Sequence, residues 1–193
     1  MELSLPNKLT VFRIILIPIF VLSFYVPAFG LNNYLVTLIF VLASITDYLD
    51  GYLARRLKQT TEFGAFLDPV ADKLIVSIAL VMLVSLHPGP ILAIPAAIII
   101  GRELTVSALR EWMANVGDKT KVAVSIIGKF KTMAQMIAIG FLLLQTPIGE
   151  FPTMMTGYIL LYFSAILTLW SMLMYLQAAW PSLKSKNKDE TTS

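Results

Sequence analysis

Long apolar runs alternate with short polar clusters along the whole chain. Six runs stand out, over residues 9–29, 34–57, 66–86, 90–113, 122–144 and 154–180. A helix needs about 20 apolar residues to cross a bilayer, and each run reaches that length. Lipid offers no hydrogen-bond partners to the backbone, so spanning segments of this kind must be helical. The pattern therefore predicts an all-α, polytopic integral membrane protein with six transmembrane helices. No internal repeat or long linker interrupts it, which gives a single membrane domain over residues 1–193 with a polar, flexible tail from 182 onward.

Composition supports the pattern. Of 193 residues, 57% are hydrophobic and 14% charged, against about 25% charged in ordinary soluble domains; mean hydropathy is +0.77. Cysteine is absent, so neither disulfides nor thiolate chemistry is available. The single histidine, His87, stands beside Pro88 and Gly89 and reads as a turn residue, leaving no histidine-based metal site. Lys8 and Arg13 fall in or beside the first apolar run, and no small-residue cleavage site follows it cleanly, so the N-terminal segment is expected to be retained. Nothing points to a nucleic-acid partner.

Charge also sets an orientation. Lysines and arginines fall near the N-terminus, around the second-to-third and fourth-to-fifth connections, and in the C-terminal tail. Cation-bearing loops face the cytoplasm. Both termini and the carboxylates described next are thus expected at the cytoplasmic face of the cell (plasma) membrane.

Four carboxylates gather where the second and third runs adjoin: Asp47, Asp50, Asp68 and Asp72. On helices, spacings of three and four residues project each pair from one face. Clustered like charges either raise each other's pKa or need a cation to hold them, and oxygen-only ligands suit a hard ion such as Mg²⁺ or Mn²⁺. Gly51 and Gly64 remove side chains nearby and leave room for a flat group or a phosphate. Taken singly, these aspartates have a plainer reading as caps or solvated helix ends; Asp68 before Pro69 suits an N-cap with proline at the first helical position.

The same residues carry a resemblance. Asp47-x-x-Asp50-Gly51-x-x-Ala54-Arg55, followed after eight residues by Gly64-x-x-x-Asp68-x-x-x-Asp72, is similar at every position to the signature of the CDP-alcohol phosphatidyltransferases. The resemblance implies two divalent metals held by the four aspartates, a CDP-linked lipid whose diphosphate those metals bind, and Asp72 as the catalytic base. It also implies that Gly51, Ala54 and Gly64 make room for the cytidine and that Arg55 contacts the nucleotide or its phosphates. Asn7, Thr10 and Arg13 recur at intervals of three. Alone they read as an interfacial anchor with a snorkelling arginine, but Pro6-Asn7-x-Leu9-Thr10-x-x-Arg13 resembles a segment that lines the nucleotide pocket in bacterial members. Family members are homodimers, so a second copy of the chain is an implied partner.

Arg102, Arg110, Lys129 and Lys131 lie at the cytoplasmic ends of the fourth and fifth runs. Charges in apolar spans are costly and by default functional. Glu103 and Glu111 can pair with some of them in a purely structural network. The cations outnumber these acids, however, and the surplus suits a phosphate. Gly101-Arg102-Glu103 and Gly128-Lys129-x-Lys131-Thr132-x-x-Gln135 resemble segments of the family branch whose acceptor is sn-glycerol 3-phosphate. The expected reaction transfers the phosphatidyl group of CDP-diacylglycerol to that acceptor and releases CMP. Two alternatives stay open: the same chemistry with inositol phosphate, serine or phosphatidylglycerol as acceptor, and a cation transporter, since intramembrane carboxylates also build ion pathways.

Overall fold

A computed structural model of the chain describes residues 5–26, 32–57, 62–115 and 126–189. Within these stretches Asp50, Gly51, Ala54, Arg55 and Lys129 are among the positions whose side chains lie outside the description.

The described residues form six helices: α1 (Leu5–Ser23), α2 (Asn32–Leu57), α3 (Glu62–Leu86), α4 (Pro90–Asn115), α5 (Ile126–Leu144) and α6 (Thr153–Asp189). Their only strand-like feature is an isolated bridge between Ile148 and Phe151 in the α5–α6 turn. Helices α3, α4 and α6 contain segments long and apolar enough to cross a membrane, and α2 and α5 contain shorter apolar segments. The expected all-α membrane architecture is what the chain adopts.

Boundaries differ from the apolar runs in informative ways. α1 is described from Leu5, and Pro6 fits a first turn, where its missing N–H costs nothing. It ends at Ser23 rather than extending toward residue 29. There the Ser23 hydroxyl donates to the Phe20 carbonyl at 2.6 Å, and the Phe24 and Tyr25 amides donate to the carbonyls three residues back. α3 starts at Glu62, so Pro69 lies inside the helix, and the reading of Asp68 as an N-cap is corrected. Its carboxylate is left for a partner on another helix. α6 runs on to Asp189, past the point where the apolar run gives way to a polar tail, through lysines that favour helix.

Helix α1 packs against α2 and α3, α2 against α5, α3 against α4 and α5, and α6 against both α4 and α5. The core between them includes Phe20, Phe40, Ile75, Leu80, Leu83, Ile99, Ile139, Leu142 and Leu161, all fully buried. Phe20 meets Phe24 edge-on at 5.1 Å, a favourable aromatic geometry. At Gly157 a β-carbon would come within 2.8 Å of Leu142 Cγ and 3.2 Å of the Ala138 carbonyl. The missing side chain allows α5 and α6 this close approach, as small residues do between membrane helices.

The outer surface carries many large apolar side chains. Ile15, Ile19, Leu38, Ile45, Ile94, Leu104, Met133, Ile159, Phe163 and Ile166 are all exposed. In water such a surface would aggregate; in a bilayer it is the matched face.

Candidate active site

Helix α1 carries Asn7, Thr10 and Arg13 along one edge, and all three are buried, Arg13 completely. A buried arginine must be paired. Arg13 Nη1 donates to Asp47 Oδ1 on α2 at 2.7 Å and also to Asp72 Oδ1 on α3. One turn earlier, Thr10 Oγ1 donates to Asp68 Oδ1 at 2.5 Å.

The four-residue spacing of Asp68 and Asp72 therefore meets the three-residue spacing of Thr10 and Arg13. Two helix faces come into register, and the third helix supplies Asp47. This removes the interfacial-anchor reading of the α1 stripe, whose polar side chains face protein carboxylates.

Three of the four signature aspartates thus lie against α1. The Asp47 and Asp72 side chains remain about half-exposed, at 40% and 46%. Gly64, one turn before Asp68 on α3, is buried. Among the described residues no group of three or more acidic or histidine side chains is gathered tightly enough to hold a metal ion. Asp50, Gly51, Ala54 and Arg55 lie outside the description. The donor set itself fits a hard divalent cation: Asp47 and Asp72 already share one positive charge, and their oxygens are the ligand type such ions take.

A second polar cluster occupies α4, α5 and α6. Arg102 Nη1 donates to Glu103 Oε1 at 2.6 Å, and Lys131 Nζ, almost fully buried, reaches the same oxygen at 3.3 Å. Among the described residues Arg110 makes no such ion pair; its Nη2 donates to the Tyr175 hydroxyl at 2.7 Å. No ion pair joins Glu111 to Arg102, Arg110 or Lys131. Among the described residues, Arg102 and Lys131 therefore share one carboxylate and Arg110 is in no ion pair, so these three cations exceed their paired acid by two charges. Glu103 pairs with its neighbours as the structural alternative required, but it cannot neutralise them all. Lys129 lies outside the description.

The two clusters are joined through α3. Lys73 follows Asp72 in the chain, and its Nζ donates to Ser107 Oγ on α4, one helical turn from Glu103. Sequence reasoning did not assign Lys73, Ser107, Ser171 or Tyr175 to the site. Near the end of an apolar helix Tyr175 would suit a membrane interface, as would Trp170 and Trp180. Those two are indeed exposed, whereas Tyr175 is turned to the arginines.

An aspartate-lined edge and a cation-rich cluster, in a membrane helix bundle, are the kinds of groups that suit phosphate at the bilayer. The family model described as CDP-alcohol phosphatidyltransferase matches residues 3–170, and the chain belongs to that family. Similar curated proteins include the CDP-diacylglycerol--glycerol-3-phosphate 3-phosphatidyltransferase of Haemophilus influenzae, 53% identical over 95% of this chain and 97% of that protein. Proteins of the same name from Pseudomonas fluorescens and Yersinia pestis are 51% and 50% identical, over 97% and 95% of this chain and 96% and 98% of their own lengths. Membership of a phosphotransferase family sets aside the cation-transporter alternative.

Proposed function

We propose that this chain transfers the phosphatidyl group of CDP-diacylglycerol to sn-glycerol 3-phosphate, giving phosphatidylglycerophosphate and CMP. The observation that carries this reading is the pairing of the two clusters. Asp47, Asp68 and Asp72 line one edge, and Lys73 links that edge to a pocket whose cations exceed their carboxylate. The first suits a diphosphate held through metal, and the second suits a phosphate held directly.

Asp47, Asp50, Asp68 and Asp72 would hold Mg²⁺ or Mn²⁺ in a two-metal site. Bound there, the metals would offset charge on the diphosphate and improve CMP as a leaving group. The remaining chemistry belongs to the chain. Asp72 would take the proton from the acceptor hydroxyl as its oxygen bonds to the lipid-side phosphorus. The bond from that phosphorus to the bridging oxygen breaks, and the oxygen leaves with CMP. Asn7, Thr10, Arg13 and Arg55 would contact the nucleotide or its phosphates, with Gly51, Ala54 and Gly64 making room for the cytidine. Arg102, Arg110, Lys129 and Lys131 would hold the acceptor phosphate. The acyl chains stay in the bilayer, so the site opens toward lipid.

The cation distribution supports a location of this site and both termini on the cytoplasmic side of the cell membrane. Residues 182–193, of which those up to Asp189 continue α6, would serve as a cytoplasmic tail to the single domain, and the working unit would be a homodimer.

The test is CMP release by the purified protein from CDP-diacylglycerol with a panel of acceptors: sn-glycerol 3-phosphate, inositol phosphate, serine and phosphatidylglycerol. Release is expected with glycerol 3-phosphate alone, and only when Mg²⁺ or Mn²⁺ is supplied. Equal release with another acceptor would overturn the choice of substrate. Undiminished release in excess chelator would overturn the metal assignment.

A further inference from the structure

Arg110 differs from the other described cations of the acceptor cluster in its partner. Arg102 and Lys131 share Glu103, which cancels part of their charge. Arg110, exposed at the edge of the cluster, is held by a neutral group. Its Nη2 donates to the Tyr175 hydroxyl at 2.7 Å, and its Cζ lies 5.1 Å from the centre of the Tyr175 ring.

The same ring lies 6.0 Å from Arg102 Cζ. One turn earlier on α6, Ser171 Oγ accepts from Arg102 Nη2 at 3.4 Å and donates to the Thr168 carbonyl at 2.9 Å. Ser171 and Tyr175 stand four residues apart, so they share a helix face. That face fixes the two arginines of α4 without adding a negative charge. A neutral acceptor and an aromatic face orient a guanidinium and leave its charge available, whereas a carboxylate would compete with an incoming phosphate.

The part of α6 that does this lies beyond residues 3–170, where the family match ends.

We propose that Tyr175 is a positioning residue for the acceptor phosphate, presetting Arg110 and Arg102 as a pair of charged donors. The inference rests on the acceptor-pocket reading above. It makes α6, which carries no charge between residues 154 and 180, a determinant of acceptor affinity.

Initial-rate kinetics with both substrates varied test it, using Tyr175→Phe, Tyr175→Leu, Arg110→Ala and the Tyr175→Phe/Arg110→Ala double variant in the full-length purified protein. Tyr175→Phe keeps the ring and its packing and removes the hydrogen bond. It should raise the glycerol 3-phosphate KM about three- to tenfold, and Tyr175→Leu should raise it further because the ring face is lost as well. The CDP-diacylglycerol KM should be unchanged and kcat should stay within about twofold. In the Arg110→Ala background, Tyr175→Phe should add nearly nothing, because its effect passes through Arg110.

Equal changes in both KM values, a loss confined to kcat, or full additivity with Arg110→Ala would each overturn the positioning role. If Arg110→Ala raises the acceptor KM and the Tyr175 variants do not, the inference fails while the acceptor pocket stands. If Arg110→Ala also leaves that KM unchanged, both fail.

Discussion

Asp72→Asn is expected to lower CMP release by roughly a hundred- to ten-thousandfold, the usual range for losing a general base, with both substrates still bound. Asparagine keeps the size of the side chain and an oxygen able to accept from Arg13, so the contact between α1 and α3 survives. What disappears is the ability to take a proton. Asp72 suits the role because it is the signature carboxylate closest in sequence to the cation pocket, next to Lys73, and because its side chain is 46% exposed while its Oδ1 is engaged by Arg13. Saturation kinetics, with direct binding of the CDP-lipid, separate the outcomes. Near-normal turnover would remove Asp72 as the base; lost CDP-lipid binding would make it a ligand instead.

Arg13→Ala should act on stability and turnover together. Arg13 is fully buried and ties α1 to α2 and α3 through one nitrogen shared by Asp47 and Asp72. Removing one partner of a buried ion pair costs about 3–5 kcal/mol. Because Asp47 and Asp72 are partly exposed, roughly 1–3 kcal/mol is the better expectation here. Without divalent metal the thermal midpoint should fall clearly below that of the unaltered protein. Saturating Mg²⁺ should recover part of the difference by supplying positive charge to the same carboxylates. Turnover should fall about a hundredfold from the lost charge-assisted contacts. An unchanged midpoint in chelator together with unchanged turnover would show the ties to be incidental.

Much of this arrangement can be read from residue order, because membrane helices obey a length rule and carboxylates obey a spacing rule. Asp68 and Asp72 at four, and Thr10 and Arg13 at three, are facts of sequence; that these faces meet is a fact of packing. Nothing local in Arg13 separates an arginine that snorkels to the membrane surface from one that pairs with carboxylates 34 and 59 residues away. The Asp68-Pro69 pair misleads for a related reason. It has the form of a helix start, and the turns from Glu62 that precede it carry no stronger signal.

Tyr175 is the clearest omission. An aromatic near the end of an apolar helix has a ready interpretation as a membrane-interface residue. Only the approach of α6 to α4 shows that it faces Arg110 while Trp170 and Trp180 face outward. The surplus of cations over acids was visible in the sequence; their sharing of Glu103 depends on which helices neighbour one another.

The division of labour between the two clusters is the central claim, and bisubstrate initial-rate kinetics on Lys131→Met and Asp47→Ala test it most directly. Lys131→Met keeps most of the buried stem and removes the charge. It should raise the glycerol 3-phosphate KM or lower turnover so that kcat/KM for that substrate falls about ten- to a hundredfold, with the CDP-diacylglycerol KM nearly unchanged. Asp47→Ala should instead abolish metal-dependent turnover and weaken the CDP-lipid. If Lys131→Met weakens only the CDP-lipid, or if Asp47→Ala alters only the acceptor KM, the assignment of the two clusters is contradicted.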